Sequence, residues 1–392
     1  MLIKKALSSL FLLFFLLLFF EIISYNIVIP DKRLNILDST KTIIEEDPVL
    51  IWKQRAHLKK MFQGAEVITN SAGFRNREFS IEKNNSTYRI ICLGASDTFG
   101  WGVDFSKTYP FLLEQKLNKT GRIKNVEVIN AGEIGYTTHQ GLILFKNYLL
   151  KYKPDLITIA YILNDIDRYR FYRNCALTDS ELTRRNSLVV RLNNVFSKSR
   201  GYLVLEKLFS FILRKNERFK SYLLKKEFSL ARQRVSRDEY RRNLEEFINV
   251  CIKHKIKIMF IKMPINLSLP SLTEFEKNIL SNNGNLSVFY YNLANNYENK
   301  KEYHSSALFF KKARDYLVLD CRQDGISLQN TIEKVSLKNN ISLLDVNAIF
   351  LGFKSYESLF NSPNDPMHPN KSGHEIIADA ACSLILNSNS FN

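Results

Sequence analysis

Four short blocks of this chain carry the side chains that nucleophilic acyl chemistry needs. Ser96 lies in Gly94-Ala95-Ser96-Asp97-Thr98-Phe99-Gly100, directly behind the apolar run Tyr88-Arg89-Ile90-Ile91-Cys92-Leu93. A turn of small residues after a buried strand can lift a hydroxyl clear of the backbone, where it can attack a carbonyl. Near the other end stands Asp365-Pro366-Met367-His368-Pro369. Histidine titrates near neutrality and can take up and return a proton. A carboxylate three residues away can fix its tautomer, and two prolines stiffen the loop that carries both. Between these ends lie Asn130-Ala131-Gly132-Glu133-Ile134-Gly135 and Leu163-Asn164-Asp165, each behind another apolar run. Taken singly the blocks have plainer readings, a serine capping a helix or an Asn-Asp turn. What singles them out is that three of them, those of Ser96, Gly135 and Asn164, fall just behind an apolar, strand-like run.

The elements that must position them alternate in type. Short β-branched or aromatic runs bounded by turn residues predict strands at Tyr88–Leu93, Val126–Asn130, Leu156–Leu163, Lys257–Lys262 and Ile341–Leu344. Apolar residues three and four apart predict helices at Pro110–Leu117, Thr138–Lys151, Glu239–His254 and Leu328–Leu337, with Ser372 capping a last helix through Leu386. Such alternation implies parallel strands with helical crossovers covering both faces. Functional groups then gather at the carboxyl ends of the strands, and Ser96, Gly135 and Asn164 all fall there.

Other nucleophile and phosphate motifs do not fit. Thr98 stands where Gly-x-Ser-x-Gly would need its second glycine, and no Gly-Lys-Ser/Thr follows. His374 is near His368, but no acidic or cysteine cluster joins them, so no metal is expected, and acyl chemistry on a serine would need no cofactor.

The order Ser, Gly, Asn, then Asp-x-x-His resembles the SGNH, or GDSL-type, superfamily of esterases and acyltransferases, over about residues 70–388. The resemblance implies a flavodoxin-like three-layer α/β/α sandwich with a mainly parallel five-stranded sheet. It implies Ser96 as nucleophile, His368 as base and Asp365 as the residue that orients it. The oxyanion would be held by the Ser96 N–H, Gly135 and the Asn164 amide, with Gly132 a nearby rival to Gly135. Two positions depart from the pattern: Ala95 replaces the Asp of Gly-Asp-Ser, and Ile162 replaces the Gly of Gly-x-Asn-Asp. Asn70-Ser71-Ala72-Gly73-Phe74-Arg75 resembles a stretch that often precedes the catalytic domain in membrane-anchored members, although by itself it suggests only a glycine turn beside a short strand. The implied activity is hydrolysis of O-acyl or O-acetyl esters at the cell envelope, on a glycan or lipid. The alternatives are an O-acyltransferase modifying an exported polysaccharide and a non-enzymatic envelope scaffold on a decayed fold.

Charge and hydropathy frame where this body would work. Of the 392 residues 45% are hydrophobic, enough for a substantial core. The net charge of +17 suits an anionic membrane or acidic glycan; no zinc-finger, RRM or helix-turn-helix spacing argues for nucleic acid. Lys4-Lys5 precede the uncharged stretch Ala6–Phe20, and Glu21 interrupts before Ile22–Ile29. Residues 1–30 therefore read as a transmembrane signal anchor with the rest of the chain outside the cytoplasm, or else as a cleaved signal peptide. Residues 31–86 read as a connector, and 87–388 as the catalytic domain. A basic helical insertion occupies 168–234; from Arg168 to Lys257 there are 23 Lys and Arg against 9 Asp and Glu, which is +14 of the +17. It reads either as an amphipathic segment on an anionic membrane or as a solvated helical cap. Residues 286–320 resemble a single tetratricopeptide hairpin, packed on the core or offered to a protein partner. The five cysteines are odd in number and far apart; Cys92 and Cys251 lie in apolar runs and read as small core residues.

Overall fold

Two small antiparallel hairpins precede the main sheet: β1 (Ile44–Asp47) with β2 (Ile51–Gln54), and β3 (Lys59–Phe62) with β4 (Ala65–Ile68). The computed structural model describes residues 40–167, 178–184, 216–267, 272–281 and 286–388, except 48, 231 and 364, together with positions 201 and 204. The main body then runs β5 (Tyr88–Gly94), α1 (Ser96–Phe99), α2 (Tyr109–Thr120), β6 (Val126–Gly132), α3 (Thr138–Leu144) and β7 (Leu156–Ala160). It continues through α4 (Leu163–Ile166), α5 (Asp179–Arg184), α6 (Glu217–Leu230), α7 (Arg237–His254) and β8 (Lys257–Lys262). The last elements are α8 (Glu274–Ser281), α9 (Leu286–Asn299), α10 (Tyr303–Asn339), β9 (Ser342–Asp345), α11 (Val346–Leu351) and α12 (Lys371–Asn387).

The five strands β6-β5-β7-β8-β9 pair in that order, all parallel. Relative to chain order this is 2-1-3-4-5, the flavodoxin-like winding whose switch point lies between β5 and β7. Helices α2 and α12 pack on each other and cover one face, while α3, α7 and the end of α10 cover the other. The central strands β5, β7 and β8 are largely apolar through their middles because both faces are covered: Ile90, Ile91, Leu93, Ile157, Ile159, Phe260 and Ile261 are fully buried. Cys92 and Cys251 sit in this core as thiols.

Several elements differ from the sequence expectation. The third strand stops at Ala160 rather than Leu163, because Asn164-Asp165 already belong to the short helix α4. The cap of the last helix is Asn370, not Ser372; its side-chain oxygen accepts from the backbone N–H groups of Ser372 and Gly373. The expected hairpin at 286–320 does not end there. Its second helix runs on without a break and absorbs the separately expected helix at Leu328–Leu337, making one helix of 37 residues. Gly325 does not interrupt it, since there the bare backbone lets α10 approach the side chains of Leu163 and Ile265. The described part of the expected connector, from residue 40 on, is folded structure: Trp52 is fully buried and Phe62 and Phe74 nearly so.

The expected anchor at 1–30 lies outside the described residues, as does much of the basic insertion. Among the described residues no helix is long and apolar enough to cross a membrane.

Candidate active site

Gly94, Gly132 and Ala160 lie abreast on three neighbouring strands. The chain leaves the sheet just beyond them, so Ser96, Gly135 and Asn164 emerge at one edge, on either side of the switch point. Gly132 is held to glycine by crowding, since a Cβ there would meet the Phe99 nitrogen at 2.2 Å. That contact lets α1 sit tightly against β6 and brings the serine turn beside the Gly132–Tyr136 loop.

Ser96 Oγ lies 2.8 Å from His368 Nε2. On the far side of the ring, His368 Nδ1 lies 2.9 and 3.0 Å from the two carboxylate oxygens of Asp365. Burial pushes the Asp365 carboxyl up, but the hydrogen bond, charge and backbone N–H of His368, with that of Met367, outweigh it and hold the group below the usual carboxylate range. The ionised carboxylate can only accept, so Nδ1 carries the ring proton and Nε2 is left to accept from the serine hydroxyl. All three side chains are largely buried, and none is sealed off: Ser96 is 4% exposed, and the His368 and Asp365 side chains 12% and 14%.

Two asparagines absent from the sequence reading of the site hold the Asp-His loop. Fully buried Asn266, just after β8, donates from its amide to Pro363 O at 2.7 Å and Asp365 O at 2.9 Å. Asn370 donates to Ser358 O at 2.7 Å and Phe360 O at 3.0 Å. Their signal in the sequence was only an Asn after a strand and an Asn before a helix, too common to single out. His374 is no partner of His368. It is fully buried at the start of α12, its Nδ1 accepts from the Tyr109 N–H at 3.1 Å, and burial drives its pKa down to about 3.

The three donors expected around an oxyanion are differently occupied. The N–H groups of Ser96 and Gly135 have no acceptor among the described residues. Gly132 N–H is engaged by the Asn130 side chain at 3.0 Å, which separates it from Gly135. Gly135 has φ 76°, a conformation that favours glycine. The Asn164 amide spends one N–H on Tyr136 O at 3.2 Å, which ties it to the Gly135 loop and leaves the other N–H. Asp165 beside it is buried and accepts from the Thr138 N–H and hydroxyl.

The departure at Ala95 is compensated two residues later, at Asp97. Asp97 Oδ1 accepts from the Ala95 N–H at 3.2 Å and the Thr98 N–H at 2.7 Å, so the turn keeps a carboxylate brace; burial pushes this group up to about 6. From behind, buried Arg75 donates to the carbonyls of Phe99, Gly100, Glu66 and Val103. The Asn70–Arg75 stretch thus acquires a purpose: its turn, closed by Asn70 Oδ1 on the N–H groups of Ala72 and Phe74, delivers a guanidinium to the end of the serine helix.

Hydroxyl, imidazole and carboxylate thus stand in one hydrogen-bonded line beside two backbone N–H groups with no acceptor among the described residues, an arrangement with the geometry that nucleophilic acyl chemistry requires. Residues 90–381 match the family described as GDSL-like Lipase/Acylhydrolase, and the chain belongs to that family. It is an enzyme of the ester-cleaving class. Among solved structures, the lipase/acylhydrolase from Enterococcus faecalis is similar at 15% identity and a TM-score of 0.39, covering 76% of this chain and 95% of that one. A GDSL-like lipase from Bacteroides thetaiotaomicron VPI-5482 is similar at 13% identity and a TM-score of 0.41, covering 79% and 92%. The acetyl xylan esterase AlAXEase is similar at 14% identity and a TM-score of 0.39, covering 76% and 99%. No curated protein sequence matches.

Proposed function

We propose that this protein is a serine ester hydrolase that cleaves O-acyl or O-acetyl esters through Ser96, His368 and Asp365. The observation that carries the reading is the unbroken hydrogen-bonded line from Ser96 Oγ through the imidazole to Asp365, with links of 2.8 and 2.9 Å. Ser96 Oγ attacks the ester carbonyl carbon as His368 Nε2 takes its proton. The tetrahedral oxyanion is received by the N–H groups of Ser96 and Gly135 and by the Asn164 amide. Collapse expels the alcohol, which leaves with the proton from Nε2, and Ser96 carries the acyl group. Water then attacks the acyl carbon as His368 Nε2 takes its proton; collapse breaks the bond to Ser96 Oγ, which takes that proton back from Nε2, and the carboxylic acid departs. A decayed scaffold would have no need to keep this line in register.

The setting is part of the proposal. The apolar N-terminal stretch would tether the enzyme, with its catalytic domain outside the cytoplasm, near a glycan or lipid ester. A reporter fused after residue 60 that is active only in the cytoplasm would sink that placement. For the chemistry, the test is covalent labelling by a fluorophosphonate probe. Wild-type protein should label and turn over a small aryl ester, and folded Ser96→Ala should do neither. Undiminished labelling of that variant moves the nucleophile elsewhere. Acid released without ester exchange onto an added polysaccharide separates hydrolysis from transfer.

A further inference from the structure

We infer that Trp52 and Arg234 are positioning residues that lock the two peptide groups flanking Gly135 and so aim its N–H at the oxyanion. The inference rests on the proposed role of Gly135 as an oxyanion donor. The Gly135 N–H shares a rigid peptide plane with the Ile134 carbonyl, so whatever fixes that carbonyl also fixes the direction of the N–H. Ile134 O accepts from Trp52 Nε1 at 2.8 Å. The next carbonyl, Gly135 O, accepts from Arg234 Nη1 at 2.6 Å. Donation into a peptide carbonyl also polarises the group and strengthens its N–H as a donor.

A glycine in the left-handed region needs such locks. At φ 76° it can rotate to other conformations at little cost, and an oxyanion donor that swings away contributes nothing. Both clamping side chains are themselves immobilised. Trp52 is fully buried, and its own carbonyl accepts from the Tyr136 hydroxyl at 2.5 Å. Arg234 is 2% exposed, and its fork also reaches both oxygens of buried Asp179, at 3.1 and 3.0 Å, and Gln140 Oε1 at 2.6 Å. Its guanidinium carbon stands 5.3 Å from the Trp52 ring centre, so the two clamps brace each other. Neither belongs to the strand-helix alternation. Trp52 comes from the first N-terminal hairpin and Arg234 from the end of the basic insertion, two segments that otherwise have no part in the chemistry. Arg234 is therefore not one of the surface charges available to a membrane, as its place in the basic stretch suggested.

The experiment separates aiming from mere folding. Trp52→Phe keeps an aromatic side chain but loses the indole N–H with its five-membered ring; Arg234→Lys keeps the charge beside Asp179 and loses the fork. Each folded variant should lower kcat on p-nitrophenyl acetate about tenfold or more, with KM changed less than about twofold. Each should weaken binding of an alkyl boronic acid, which forms a tetrahedral adduct on Ser96, by a similar factor. In wild-type protein labelled with 15N-glycine and 15N-tryptophan, the Gly135 amide and Trp52 indole resonances should both move when the boronate adds. An unmoved Gly135 resonance overturns the oxyanion reading itself. If Gly135 moves while the Trp52 indole stays, or if folded variants keep the wild-type kcat, the clamp is wrong and the oxyanion reading stands. The resonance pair decides the matter even where neither variant folds.

Discussion

The Trp101 indole lies flat on the His368 imidazole, with ring centres 5.0 Å apart and 14° between the planes. Asp365 thus holds the base in its plane while Trp101 covers one face. Trp101 is in turn fixed by Phe62, edge-on at 4.7 Å, and by Asn361, whose amide donates to Trp101 O at 2.7 Å. In the proposed mechanism His368 would take the serine proton and become a cation against an aromatic face, an arrangement worth about 0.5–2 kcal/mol. Trp101→Leu should therefore lower kcat about tenfold while Ser96 still labels with the probe. An unchanged kcat would reduce the stack to packing.

The carboxylate in the relay should be irreplaceable by its amide. Asp365 Oδ1 accepts from the N–H groups of Met367 and His368 at 3.1 and 2.9 Å, and an amide oxygen can take over that task. The amide nitrogen would then face His368 Nδ1 and force the ring proton onto Nε2, where it blocks acceptance from Ser96. Asp365→Asn should keep its fold and lose roughly 10³–10⁴ in kcat. Steady-state kinetics beside a urea unfolding curve reads both, and near-normal turnover would show that the carboxylate does not set the tautomer.

Much of this architecture could be read in the chain. Lys257–Lys262 is a strand with the expected bounds, because Ile, Met and Phe between two lysines, closed by Pro264, admit little else. Ser96, Asp365 and His368 were visible as residue types in short, turn-bounded blocks. What holds them was not visible. Arg75 reaches Gly100 across 25 positions, Trp52 reaches Ile134 across 82 and Arg234 reaches Gly135 across 99. A buried arginine that serves carbonyls leaves no spacing signal, so it reads as one more surface charge. The unbroken α10 was missed for a related reason, as only the approach of Leu163 and Ile265 explains a glycine in mid-helix.

The buried carboxyl of Glu133, in the loop that carries Gly135, makes stability depend on pH. Burial pushes it up to about 8 from 4.5, against hydrogen bonds from Gln54. The folded protein therefore keeps this proton over a range in which the unfolded chain has lost it. The stabilisation is full below about 4.5 and is lost as pH rises through about 8. Glu133→Gln keeps an acceptor for the Gln54 N–H and removes the titration. Urea midpoints should match wild type near pH 5 and exceed it near pH 9, by about 1 kcal/mol or more in stability. Parallel pH curves for the two proteins would rule out Glu133 as the source.

Arg75 offers the sharpest link between fold and chemistry. Its guanidinium serves four carbonyls and lies over the Phe99 ring at 4.8 Å, with no carboxylate in direct contact among the described residues. Burial brings its pKa down to about 10, with Asp104 opposing, so it stays charged at neutral pH. Two of the carbonyls, Phe99 O and Gly100 O, close the helix that begins at Ser96; Val103 O lies in the turn just beyond it, and Glu66 O ties that helix to the second N-terminal hairpin. A lysine has the charge but not the planar fork, and would leave carbonyls buried without donors. Arg75→Lys should cost about 3 kcal/mol of stability by urea unfolding. Because the serine turn loosens with it, the folded fraction should also react with the fluorophosphonate several-fold more slowly. A loss of stability with an unchanged labelling rate per folded molecule would confine Arg75 to the scaffold and detach the Asn70–Arg75 stretch from the reaction.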